Sequence, residues 1–159
     1  MKFKESLIEN DAIRLQATAS DWREAIIMGT DMLVASGAVT PEYPRAIIRS
    51  IESHGPYVVI APQFAMPHAR PEDGVVRTAF ALVTLTTPVY FEGENEPVDV
   101  LVTLAGSSSD EHMQGLMEVT QVLDDPDSET GINLDKFRKC QTKEDVFRVI
   151  DAALCADEA

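Results

Sequence analysis

Two stretches near the middle of the chain, Thr78–Leu85 (TAFALVTL) and Val98–Ala105 (VDVLVTLA), are almost wholly apolar. Each is too short for a buried helix of ordinary length. Neither alternates in the way of a half-exposed strand. Continuous apolarity over a short run points to a strand covered on both faces, so this chain must supply cover from two sides. Helical periodicity before and after the pair provides it. Residues 18–36 repeat apolar positions at helical spacing (Trp22, Ala25, Ile26, Gly29, Met32, Leu33), with Ser20 or Asp21 as N-cap and Gly37 as the stop. Residues 41–53 carry a second stripe, Ala46, Ile47 and Ile51, closed by Gly55-Pro56. Tyr57–Ala61 reads as a further short strand, and Tyr90–Pro97 as a turn or exposed hairpin tip.

From Asp110 the helical pattern returns. Leu116, Val119, Val122 and Leu123 form one stripe, and Phe137 marks a short helix over 132–140. A last helix runs from Thr142 through Val146, Phe147 and Ile150, with Thr142 and Asp145 as a capping pair. Ala153–Ala159 is expected to fray. Helices first, strands in the middle and helices last predict an α/β fold with a central mixed sheet between helical layers.

Length and charge narrow the function. At 159 residues the chain is one domain of ordinary size, with no internal repeat or low-complexity linker. No run approaches the ~18 apolar residues that a membrane-crossing helix needs. The start, Met1–Ser6, has lysines but no apolar core and is not a signal peptide, so a cytoplasmic location is expected. Thirteen basic against 27 acidic residues give a net charge of −14, which argues against nucleic acid and against anionic membrane surfaces as partners. That acidity fits partners that are basic on their docking faces, and it also fits a simple solubilising role. Cys140 and Cys155 match neither a disulfide framework nor a zinc motif, and both read as small apolar residues on the C-terminal helices.

Chemistry concentrates at His68, in Phe64-Ala65-Met66-Pro67-His68-Ala69-Arg70-Pro71. Pro67 stiffens the backbone before the ring, Arg70 is a permanent cation two residues on, and Asp73-Gly74 turns the chain soon after. An imidazole is mostly neutral base at pH 7 and can attack a phosphoryl group. An ordinary surface histidine is the plain alternative. Gly106-Ser107-Ser108-Ser109-Asp110-Glu111-His112 follows the last strand and opens a helix, a place where free N–H groups and a positive dipole end suit phosphate. If the strands before His68 and Gly106 are neighbours, His68 and His112 meet at one sheet edge. His54 reads as a C-terminal helix residue facing the negative dipole end. Asp124–Gly131 resembles a calcium loop only superficially, since its glycine is misplaced and Lys136 stands where the bidentate glutamate belongs. No glycine-rich phosphate loop, GxSxG or HExxH occurs.

Gly55-Pro56-Tyr57-Val58-Val59-Ile60-Ala61-Pro62 followed by Ala65-Met66-Pro67-His68-Ala69-Arg70-Pro71-Glu72-Asp73-Gly74-Val75 resembles the active-site signature of the enzyme IIA components of the bacterial phosphoenolpyruvate-dependent sugar phosphotransferase system. The branch it resembles is the mannitol/fructose-type superfamily, nearest to the ascorbate-type proteins, and the similarity runs from Ser6-Leu7 to the last helix. The resemblance implies a single-domain three-layer α/β/α sandwich over residues 1–159, its mixed sheet flanked by helices on both faces. It implies that His68 is phosphorylated by the phosphocarrier HPr and passes the group to a cognate IIB component, with membrane IIC reached only through IIB. His112 matches the supporting histidine. Arg70 recurs in this branch, and its contact with phosphate is inferred from its charge. Arg49 is the nearest counterpart of an arginine that mannitol-like relatives carry before the active-site strand. No cofactor and no metal is expected. Two other roles share the pattern: a regulatory module phosphorylated on His68 that acts by binding a target, and a small-molecule-binding domain in which His68 is never phosphorylated.

Overall fold

The computed structural model describes residues 2–155. The order is α1 (Lys2–Glu9), β1 (Ile13–Ala17), α2 (Trp22–Ser36), α3 (Glu42–His54), β2 (Val59–Ala61), β3 (Phe64–Ala65), a 3-10 turn (Pro71–Asp73), β4 (Ala79–Val89), β5 (Val98–Ala105), α4 (Ser109–Leu123), α5 (Asp135–Arg138) and α6 (Lys143–Cys155). Five strands form one sheet in the order β1-β4-β5-β3-β2. β1 runs parallel to β4, β4 antiparallel to β5, β5 parallel to β3, and β3 antiparallel to β2, so the sheet is mixed as expected.

The two apolar runs are the central antiparallel pair, with Ala81 opposite Thr103 and Phe80 opposite Leu104. Alternation along β4 and β5 sends neighbouring side chains to opposite faces. Thr103 and Val83 meet α2, whose Gly29 sits so close that a Cβ there would lie 2.5 Å from the Thr103 hydroxyl. Phe80 and Leu104 meet the other layer. Gly115 of α4 lies against both, and the Phe3 ring of α1 is 5.1 Å from that of Phe80. Cover from both faces is therefore what removes alternation from these strands.

Several boundaries differ from the sequence reading. The helix expected over 18–36 begins at Trp22, because the Asp21 carboxylate accepts the Glu24 N–H and caps it there. The expected strand Tyr57–Ala61 shortens to Val59–Ala61, and Thr78–Leu85 extends to Val89. The short helix over 132–140 contracts to Asp135–Arg138. Cys140 then lies in the turn between α5 and α6, buried, with its thiol against the Lys136 carbonyl. It is not helical because Thr142 and Asp145 cap a new start, the Thr142 hydroxyl accepting the Asp145 N–H and the Asp145 carboxylate accepting that of Thr142. Of the stretch expected to fray, Ala153 and Leu154 belong to α6, with Leu154 buried. The Cys155 side chain and residues 156–159 lie outside the described residues.

No expectation covered α1 and β1. Phe3 and Leu7, one turn apart, are the buried face of an eight-residue helix. β1 has five residues, and its ladder is broken at Gln16, whose φ of 53° bends the chain while its N–H finds the Thr84 hydroxyl. Among the described residues no helix is long and apolar enough to cross a membrane. Phe80→Ala is expected to cost about 3–5 kcal/mol, because it removes a ring wedged between α1, α4 and the sheet. Urea denaturation measures it, and a loss below about 1 kcal/mol would mean that the two helices close over the gap.

Candidate phosphoryl-transfer site

β3 is only two residues long, pairing Phe64 with Val100 and Ala65 with Leu101. Pro67 ends it, having no N–H to give to a ladder. Its carbonyl still accepts the Leu104 N–H at 3.0 Å, so the chain is held against β5 up to the residue before His68. The His68 ring then turns back, with Nδ1 2.7 Å from the Met66 carbonyl oxygen. A carbonyl only accepts, so Nδ1 carries the proton and a neutral ring keeps its lone pair on Nε2.

His112 reaches the same place from β5. Gly106 leaves the strand, and Ser108 caps α4 by accepting the Glu111 N–H at 3.2 Å. The His68 and His112 rings lie 4.9 Å apart between centroids, tilted by 55°. The two stretches that the sequence could join only conditionally are thus brought together by β3–β5 pairing. Gly106 makes the approach possible. A Cβ there would fall 2.8 Å from the His112 Cα and 2.9 Å from its N, and these are backbone atoms that cannot yield cheaply. Of the three serines, Ser107 donates its N–H to the Thr78 hydroxyl, Ser108 is the cap and Ser109 lines the cleft. Burial first, and then the neighbouring charge of His68, lower the pKa of His112, which keeps that ring neutral at pH 7.

Both rings open into a cleft of about 850 Å³ that also takes in Arg49, His54, Tyr57 and Arg70. Arg70 is not waiting free. Its Nε and Nη2 each lie 3.3 Å from the Asp73 carboxylate, its backbone N–H donates to the same group, and its side chain is 76% exposed. Burial raises the Asp73 carboxyl, but the hydrogen bonds from Arg70 and the charges of Arg70 and Arg49 together hold it below the usual carboxylate range. A phosphoryl group would therefore compete with Asp73 for the Arg70 guanidinium. His54 ends α3 as expected and, exposed, borders the cleft as well. Among the described residues no three of His, Cys, Asp and Glu are placed to hold a metal ion.

Two residues of this site had no role in the sequence reading. Tyr43, wholly buried on α3, donates its hydroxyl to the Leu104 carbonyl at 2.8 Å and accepts the Ala69 N–H at 3.0 Å. Burial raises its phenol well above the ordinary value. Tyr57 donates its hydroxyl to the His68 carbonyl, and its ring stands edge-on to the His68 ring at 5.1 Å. The signal for Tyr43 was available: it lies one turn before Ile47 on the stripe that continues to Ile51, and a phenol on an apolar stripe must find partners for its hydroxyl.

His112 is expected to titrate below 6.5, the value of an unperturbed histidine. The unfolded chain takes up this proton at higher pH than the folded one. The ring's contribution to stability is then complete above about 6.5 and shrinks as pH falls from there through the lowered folded value. Histidine NMR titration checks the midpoint, and a value at or above 6.5 contradicts it. His68→Gln should raise the midpoint only in part, because burial, the larger cause, remains.

The similarities to known proteins agree with this geometry. Residues 6–153 match the family model described as the phosphoenolpyruvate-dependent sugar phosphotransferase system, EIIA 2. The ascorbate-specific PTS system EIIA component of Escherichia coli K12 is 45% identical over 153 residues, 95% of this chain and 96% of that one. The crystal structure of PtxA from Streptococcus mutans, a PTS IIA by name, superposes with a TM-score of 0.88 at 42% identity, over 96% of this chain and 95% of that one. The solution structure of the mannitol-specific cryptic phosphotransferase enzyme IIA CmtB from Escherichia coli gives 0.81 at 28% identity, over 96% and 99%. With the model spanning nearly all of the chain, this protein belongs to the EIIA type 2 family of the phosphoenolpyruvate-dependent sugar phosphotransferase system.

Proposed function

We propose that the protein is a cytoplasmic phosphocarrier that takes a phosphoryl group from HPr on Nε2 of His68 and hands it to a cysteine of a cognate IIB component. The observation that carries this reading is the Nδ1–Met66 hydrogen bond, which leaves Nε2 as the nucleophile on a ring that lines the cleft. In the forward step the Nε2 lone pair attacks phosphorus. The Nε2–P bond forms as the N–P bond to the donor imidazole breaks, and the bonding pair leaves with the donor nitrogen. No proton has to leave His68, because Nδ1–H stays on the Met66 carbonyl. In the second step a IIB thiolate takes the group, and the Nε2–P pair returns to the ring.

Phosphoryl transfer of this kind needs positioning and charge stabilisation more than covalent machinery. His112, neutral through burial, adds no second positive charge beside the phosphorylated ring and can give a ring N–H to a phosphoryl oxygen. The first N–H groups of α4 and, once released from Asp73, Arg70 would meet the remaining oxygens. Arg49 is a second cation lining the cleft. The sugar is assigned as ascorbate because relatives with 45–46% identity over 95% of the chain carry that specificity in their names. A IIA component reads its sugar only through the choice of IIB, so that assignment rests on partner recognition.

Incubation with phosphoenolpyruvate, enzyme I and HPr should add about 80 Da, acid-labile, as intact mass records. His68→Ala should abolish the gain, and persistence of it in that variant would remove His68 as acceptor. His112→Ala should still be phosphorylated but should pass the group to IIB about 10–100 times more slowly, the loss expected for one hydrogen bond to a charged group. Wild-type transfer would take His112 out of the mechanism. Arg70→Ala should slow HPr-driven phosphorylation, and an unchanged rate would leave Arg70 as a loop residue paired with Asp73.

A further inference from the structure

We infer that Tyr43 and Tyr57 act as a pair of positioning residues that clamp the two ends of one peptide group, His68–Ala69, and so fix which nitrogen of His68 reacts. The carbonyl of that peptide accepts the Tyr57 hydroxyl at 2.5 Å. Its N–H donates to the Tyr43 hydroxyl at 3.0 Å. The preceding peptide is held too, since the Pro67 carbonyl accepts the Leu104 N–H. Peptide groups are planar, so anchoring the ones on both sides of a Cα sets its φ and ψ. Only the side-chain torsions of His68 remain, and the Met66 carbonyl, the Tyr57 edge and the His112 ring bound them.

The anchors share a base. Tyr43 donates its own O–H to the Leu104 carbonyl, while the Leu104 N–H donates to the Pro67 carbonyl. Both polar groups of one β5 residue thus serve the loop beyond the end of β3. Tyr43 is wholly buried and Tyr57 is 37% exposed at the cleft, so one hydroxyl grips from the core and the other from the rim. If the His68–Ala69 peptide is freed, the ring can leave the Met66 carbonyl. The proton is then no longer confined to Nδ1, and Nε2 is no longer the fixed nucleophile. Misplacing a reacting atom by about 1 Å can cost on the order of a hundredfold in rate.

The kinetic arm of the test rests on the phosphocarrier reading, while the spectroscopic arm does not. In the full chain labelled with 15N in its histidine rings, His68 should show a protonated Nδ1 and an unprotonated Nε2. In Tyr57→Phe and Tyr43→Phe its two nitrogens should move toward tautomer-averaged positions. The maximal rate of HPr-driven phosphorylation should fall about tenfold or more, with the KM for HPr changed less than about twofold, as expected when orientation is lost and docking kept. Tyr90→Phe, on the exposed hairpin tip, should change neither readout. A folded Tyr57→Phe protein with wild-type rate and a fixed Nδ1–H ring overturns the clamp, and it does so even if Tyr43→Phe fails to fold. Absence of phosphorylation in the wild type would overturn the phosphocarrier reading, and the ring spectra would then decide the clamp alone.

Discussion

Burial of the β4–β5 pair on both faces is the constraint from which the rest of this structure follows. Strands covered on both faces over Ala79–Leu85 and Val100–Ala105 need a helical layer on each side, and the chain supplies α2 with α3 on one and α1 with α4 on the other. Close approach is built into both layers with glycine. Gly29 admits the Thr103 hydroxyl, and Gly115 admits Phe80 and Leu104. β1 takes the outer edge of β4, and the site is assembled along the outer edge of β5.

That edge explains why the two histidines meet. β3 takes up only the first part of it, at Val100 and Leu101. Further along, Leu104 has its N–H and carbonyl left for the Pro67–Ala69 loop, one directly and one through Tyr43. Gly106 then turns the strand into α4 so tightly that His112 arrives beside His68. Location at the carboxyl end of a strand, where a helix begins, is a general preference of α/β sheets. Here its local cause is a two-residue strand and one glycine.

The sequence was most legible where a residue's type has a single structural meaning. Doubly covered strands, Gly37 as a helix stop and the Thr142–Asp145 cap were readable from short-range chemistry and stand in the structure. The pairing of His68 with His112 could be stated only as a condition, because nothing local says that β3 lies beside β5. α1 and β1 were missed because both are short. The amphipathic face of α1 rests on Phe3 and Leu7, and β1 is interrupted by the left-handed Gln16. In the site itself the charge of Arg70 was legible but its engagement with Asp73 was not, since three residues of a 3-10 turn decide it. The apolar stripe of α3 marks Tyr43 as a phenol in need of partners, but the partners that Tyr43 and Tyr57 find lie 26 and 11 residues away along the chain, where no local pattern names them.

An imidazole whose backbone is anchored on both sides cannot ferry what it carries. On the phosphocarrier reading the phosphorylated ring stays at the mouth of a single cleft, and the other proteins do the travelling. Giver and taker would have to present themselves to the same opening in turn, each leaving before the next arrives. The throughput of such a relay is set by how fast two complexes dissociate as much as by the chemistry at Nε2, which favours small, weakly held interfaces over tight ones.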